Sequence, residues 1–147
     1  MRTALVTGGS GGIGKGCGRK LCELGYDVVL AARREGPLRA AAEEIGARYV
    51  VADASDPVGF ANAVSTFEKI DLVVHAAGVL GGTYARKQTF EQWRTIMSAN
   101  LDSCFVLTAA VLPRMRAGSR LVFISSSAAH EPMPGRTASI GSRRSSM

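Results

Sequence analysis

Cysteine is scarce in this chain and follows no pattern. Cys17, Cys22 and Cys104 are odd in number and lack metal-ligand spacing, which argues against a disulfide framework or a metal site and leaves reduced packing residues. Long hydrophobic runs are also missing. The longest apolar stretches, such as Cys104 to Leu112, fall short of the about 20 residues that a membrane-spanning helix needs. The first strand-like run begins too early for a signal peptide to precede it. The expectation is a cytoplasmic protein with no membrane partner. Aromatic residues make up 6% of the chain, and no basic patch interleaved with aromatics accompanies the net charge of +6. That pattern disfavours nucleic acid as a partner and fits an anionic cofactor beside solvated arginines.

What remains is a composition suited to one domain with a real core: 147 residues, 46% hydrophobic and 20% charged. Glycine is abundant, and its placement is informative. Thr3 to Val6 reads as a strand, followed at once by Thr7-Gly8-Gly9-Ser10-Gly11-Gly12-Ile13-Gly14 and a helical stretch. Gly9, Gly11 and Gly14 satisfy G-x-G-x-x-G. Glycines let a backbone come within hydrogen-bonding distance of a pyrophosphate, which then faces the N–H groups and positive dipole end of the helix. A second apolar strand, Val28 to Ala32, follows at the distance a dinucleotide fold requires. Gly9, Gly14 and Lys15 also fit G-x-x-x-x-G-K. Gly16 stands where that motif needs a Ser or Thr hydroxyl for Mg²⁺, so nucleoside triphosphate hydrolysis is disfavoured.

Apolar strand-length runs recur at Leu5, Val28, Tyr49 to Ala52, Leu72 to His75 and Leu121 to Ile124, with helix-like segments between. Five repeats indicate a doubly wound, parallel α/β sheet of the Rossmann type. Pro37 near the first turn and Gly46 past the end bound the second helix. Asp56 as N-cap with Pro57 at the first helical position opens the third. The fourth is predicted as one long helix from about Phe90 to Arg116, with Phe90, Trp93, Ile96 and Met97 forming a core-packing stripe and its exposed flank a candidate homo-oligomer interface.

These motifs, in this order, resemble the short-chain dehydrogenase/reductase family, through essentially the whole chain to about residue 139. The family's T-G-x-x-x-G-[IL]-G loop is matched by Thr7, Gly8, Gly12, Ile13 and Gly14, with Gly9 and Ser10 inside it; Asp53 and Ala54 follow strand three, and Ala77-Gly78 follows strand four. Asn100 in the long helix and the serines closing strand five complete the series. The resemblance implies that Asp53 accepts a hydrogen bond from an adenine amino group and that Gly78 lets its loop pass close to the cofactor. Arg33 and Arg34 stand after strand two, where a carboxylate usually meets a free ribose 2′-OH. Guanidinium suits a 2′-phosphate, so NADP is expected over NAD, which nearby Glu35 keeps possible.

The family's reaction is hydride transfer between a nicotinamide and a small carbonyl or alcohol substrate. It uses a Tyr-x-x-x-Lys pair, an upstream serine and an asparagine; lysine lowers the tyrosine pKa while serine orients the substrate oxygen. Ser127 and Asn100 resemble the serine and the asparagine. The family's spacing then places Ile140 and Arg144 at the tyrosine and lysine positions, and one residue earlier gives Ser139. Neither alignment restores the pair. The usual Asn-Asn-Ala-Gly reads His75-Ala76-Ala77-Gly78, where His75 reads as a satisfied structural residue; His130 is no stronger a base, and no G-x-S-x-G surrounds Ser125 to Ser127. Two segments are expected: a cofactor-binding domain over 1–139 and an aberrant polar tail over 140–147. A sixth strand is missing from the pattern, so the sheet is expected to be incomplete on its C-terminal side. The Ser- and Arg-rich change near Ser139 reads as a frameshifted or prematurely ended reductase, with natural truncation as the alternative, and little turnover is expected from this chain alone.

Overall fold

A computed structural model describes residues 1–81 and 84–127. His130, Ser139, Ile140, Arg144 and the tail over 140–147 lie outside the described residues. The strands are β1 (Arg2–Thr7), β2 (Tyr26–Ala32), β3 (Arg48–Val51), β4 (Leu72–His75) and β5 (Arg120–Phe123). They form one parallel sheet in the order β3-β2-β1-β4-β5. Helices α1 (Gly12–Glu23), α2 (Glu35–Ile45) and α3 (Pro57–Ser65) make the first crossovers.

Each central strand is covered on both faces, which is why the strands read as unbroken apolar runs. Side chains alternate across the pleat. Leu5 joins Val29, Phe60, Val73, Leu107 and Val111 on one face, while Ala4 and Val6 join Val28, Leu30, Leu38 and Val74 on the other. Phe60, Leu5, Leu30, Leu38, Ile70 and Leu107 are fully buried. Each such side chain contributes roughly 1.5–3 kcal/mol of transfer free energy.

The capping signals act as expected. Asp56 accepts the Val58 N–H and Pro57 opens α3, while Gly46 closes α2 in the left-handed conformation. At the amino ends of the strands the Asp71 carboxylate accepts the Thr3 N–H, linking the start of β1 to that of β4. Lys69 and that N–H hold the Asp71 carboxyl below its ordinary pKa.

The long fourth helix is not uniform. It runs as α4 (Phe90–Met97), a π-helical segment over Ser98–Asp102, α5 (Ser103–Val111) and a 3₁₀ turn over Leu112–Arg114, so it ends short of Arg116. Thr89 and Gln92 form a capping box at its start. Ile96 is buried and Trp93 and Met97 are half-buried, but Phe90 is 78% exposed and leaves the expected stripe. Helical side chains lean toward the N-terminus, so a residue in the first position points past the end of its helix rather than onto the sheet. Because the helical run is continuous from Phe90 to Arg114, with a mean hydropathy of 1.5 over one 18-residue window, it is long and apolar enough to cross a membrane, contrary to the reading by apolar runs alone. In this fold its Val106, Leu107 and Val111 pack in the core.

Candidate cofactor cleft

The strand order reverses direction between β1 and β4, the point at which open α/β sheets form a crevice at the carboxyl ends of their strands. A cleft of about 270 Å³ opens there. It is lined from four strand ends and one helix: Thr7, Gly8, Ser10 and Gly11 after β1; Ala32, Arg33 and Arg34 after β2; Asp53, Ala54 and Ser55 after β3; Ala76 to Val79 after β4; and Ala99 and Ser103. A second hollow of about 350 Å³ lies at the opposite, amino end of the strands among Arg48, Lys69, Asp71 and Arg116. It is larger, but it gathers none of the loop residues; within it Lys69 pairs with Asp71, while Arg48 turns to Asp27.

The glycine loop is compact for steric reasons. Gly8 has φ +69°, and a Cβ there would stand 2.7 Å from the Ala76 carbonyl carbon and the Ala77 nitrogen. A Cβ on Gly14 would stand within 2.3 Å of the Gly8 carbonyl oxygen. The loop after β1 thus rests directly on the loop after β4, and the first turn of α1 rests on the loop. Gly11 is the N-cap of α1, no side chain caps it, and no acid stands in the first turn. This end of α1 is open to an anion, as a pyrophosphate site requires. Lys15 is turned away to Glu44, at 2.7 Å, where it and Arg19 hold the Glu44 carboxyl below its ordinary pKa. That pairing agrees with the absence of a triphosphate motif.

Of the residues expected at the cofactor, Thr7, Gly8, Ser10, Arg33, Arg34, Asp53, Ala54, Ala77 and Gly78 line the cleft. Gly9 packs behind it on Leu30, Gly14 lies beneath Gly8, and Gly12 and Ile13 are exposed at the start of α1. Asp53 Oδ1 accepts both the N–H of Ser55, at 2.9 Å, and its hydroxyl, at 2.7 Å. Its Oδ2 stands 3.9 Å from Arg33 Nη1, so the acid braces the arginine across the mouth of the cleft.

Asn100 and Ser127 do not line the cleft. Asn100, in the π segment, accepts the Val79 N–H at 2.7 Å through Oδ1 and donates to the Val79 carbonyl at 3.1 Å through Nδ2. It shapes the loop after β4 from behind. Ser127 is exposed, and Ser125 Oγ is buried without a hydrogen-bond partner among the described residues. Sequence reasoning missed Ser103 and Ala99, which reach the cleft from the start of α5 and from the π segment. The available signal was the polar run Ser98-Ala99-Asn100-Leu101-Asp102-Ser103 inside a helix whose later part is apolar.

The family model described as short chain dehydrogenase matches residues 2–142. The chain belongs to the short-chain dehydrogenase/reductase family. Among curated relatives it is 35% identical over 123 residues to an NADP-dependent (R)-specific alcohol dehydrogenase of Lentilactobacillus kefiri, a match that covers 78% of this chain and 49% of that protein. It is 30% identical over 139 residues to a 3-oxoacyl-[acyl-carrier-protein] reductase of Rickettsia bellii, covering 92% of this chain and 58% of the relative. The chain therefore spans about half to three fifths of the length of these short-chain dehydrogenase relatives. Among solved structures, a short chain dehydrogenase/reductase family protein superposes with a TM-score of 0.89 at 29% identity over 97% of this chain and 63% of its own. An actinorhodin polyketide ketoreductase solved with NADPH superposes with a TM-score of 0.90 at 26% identity, over 98% and 60%.

Proposed function

We propose that this chain is the NADP-binding portion of an oxidoreductase that transfers hydride between the nicotinamide and a small carbonyl or alcohol substrate. The observation that carries the reading is the pair Arg33 and Arg34 on the cleft wall after β2, with Asp53 bracing Arg33. Guanidinium groups at that place meet a ribose 2′-phosphate with charge-assisted hydrogen bonds, whereas a carboxylate there would repel it. Gly8, Ser10 and the start of α1 at Gly12, Ile13 and Gly14 would hold the pyrophosphate, with Thr7 beneath them at the end of β1. Asp53 and Ala54 would face the adenine, and Ala77 and Gly78 would bring the loop after β4 against the cofactor. Bound there, the cofactor supplies or accepts the hydride. NADP-dependent relatives support this order of preference, with NAD as the second choice.

Replacing both arginines, Arg33→Ala with Arg34→Ala, is expected to weaken NADPH binding about tenfold, the loss of about one exposed charge-assisted contact, and to leave NADH binding within about twofold. Calorimetric titration of both cofactors checks this. Equal losses for the two would place the 2′-phosphate elsewhere.

Within residues 128–147 no Tyr-x-x-x-Lys pair follows Ser127. That favours a second reading for this chain on its own, a nucleotide-binding module that holds the cofactor without turnover, with Ser127 the remaining candidate to orient a substrate oxygen. NADPH oxidation by the purified chain across carbonyl compounds would contradict it. Three free cysteines fit a reducing, cytoplasmic setting. We also propose that the long helix pairs with a second copy, since Phe90 and Phe105 are exposed on it at 78% and 76%. Sedimentation velocity is expected to show a dimer that Phe105→Glu converts to monomer; a monomeric wild type removes the proposal.

A further inference from the structure

Among the described residues the buried polar side chains are Thr7, His75, Asn100 and Ser103. Three of them form one relay beneath the cleft. His75 Nδ1 lies 2.6 Å from Thr7 Oγ1, and His75 Nε2 lies 3.1 Å from Ser103 Oγ. Ser103 Oγ donates its proton to the Ala99 carbonyl at 2.8 Å. A hydroxyl has one proton to give, so Ser103 Oγ accepts from His75, and Nε2 carries the ring hydrogen. In the neutral ring Nδ1 is then an acceptor, and the Thr7 hydroxyl donates to it. The relay runs from Thr7 through His75 and Ser103 to Ala99, crossing from β1 through β4 to the long helix.

We propose that His75 is a positioning residue for the cofactor, on the reading of the cleft as a dinucleotide site. His75 does not line the cleft, but Thr7, Ala76, Ala99 and Ser103, its partners and neighbours, do. The relay directs the Thr7 proton down into the fold. The Thr7 oxygen is left to accept rather than donate at the cleft, so the loop's backbone N–H groups, not this hydroxyl, meet the phosphates. The relay also fixes the spacing between the Gly8 turn and the peptide after His75, which are already in contact. The imidazole packs edge-on against Phe123 with ring centres 5.7 Å apart, a contact that a phenyl ring would keep while leaving the buried Thr7 hydroxyl without its acceptor.

The test uses the full chain with His75→Phe and Ser103→Ala, NADPH titrated by calorimetry, thermal melting, and nitrogen-detected NMR of the wild-type imidazole. The expected results are an Nε2–H ring in the wild type, and NADPH binding about tenfold weaker in His75→Phe at a temperature where melting shows the variant folded. Ser103→Ala, the milder change, is expected to weaken binding about threefold. An Nδ1–H ring, or wild-type affinity in both variants, overturns the proposal alone. Should His75→Phe fail to fold, the tautomer and Ser103→Ala decide it. A wild-type chain that does not bind NADPH overturns the reading of the cleft and this proposal with it.

Discussion

Gly14→Ala is expected to weaken NADPH binding by about a hundredfold or more. The added Cβ would stand 2.3 Å from the Gly8 carbonyl oxygen, 2.7 Å from its carbonyl carbon and 3.1 Å from Gly9 Cα. All three are backbone atoms, so no rotamer change relieves the clash and the loop itself must move. Gly8 cannot yield easily, because its own far side is against Ala76 and Ala77. Overpacking of this kind costs typically 1–3 kcal/mol, and a displaced loop also loses the N–H geometry on which an anion depends; a hundredfold corresponds to about 2.8 kcal/mol. Gly16→Ala is the matched control. Gly16 is exposed on α1 with nothing within 4 Å of an added Cβ, so the substitution should leave binding intact and raise stability by about 0.5–1 kcal/mol. Calorimetric titration with circular dichroism on both variants checks the pair. Gly14→Ala binding within threefold of the wild type would mean that the loop does not carry the phosphates.

The second large effect falls on stability. Asn100→Ala removes both hydrogen bonds to the Val79 backbone, and each is worth about 0.5–1.5 kcal/mol, with a further cost wherever a partner is left dry. A loss of about 2 kcal/mol is expected, lowering the melting temperature by about 5–10 °C in a domain of this size. Asn100→Asp separates the two bonds: it keeps an acceptor for the Val79 N–H but sets a carboxylate oxygen against the Val79 carbonyl, and should be no better than alanine. Thermal and urea denaturation read the outcome. A melting temperature within 2 °C of the wild type in Asn100→Ala would show that the loop after β4 holds its shape without this clamp.

The parts of this fold that were legible in the sequence are those written in one local stretch. Strands buried on both faces declare themselves as apolar runs such as Val28 to Ala32, and the Asp56-Pro57 start of α3 and the Gly46 stop of α2 are local backbone chemistry. The glycine loop was legible for the same reason. What was not legible depends on partners far apart in the chain. Thr7 and His75 are 68 residues apart and His75 and Ser103 are 28 apart, so nothing near His75 showed that it joins two hydroxyls. The Asn100 side chain likewise answers to Val79, 21 residues away. Phe90 failed as a core residue because periodicity counts positions and does not see where a helix ends relative to the sheet.

The measurement that bears most directly on the account is the titration of the purified 147-residue chain with NADPH and, separately, with NADH. Saturable one-site binding of NADPH, at least about tenfold tighter than NADH, is the result the cleft requires. No binding of either dinucleotide, or a preference for NADH, would contradict the assignment of Arg33 and Arg34 to a 2′-phosphate and with it the proposed function.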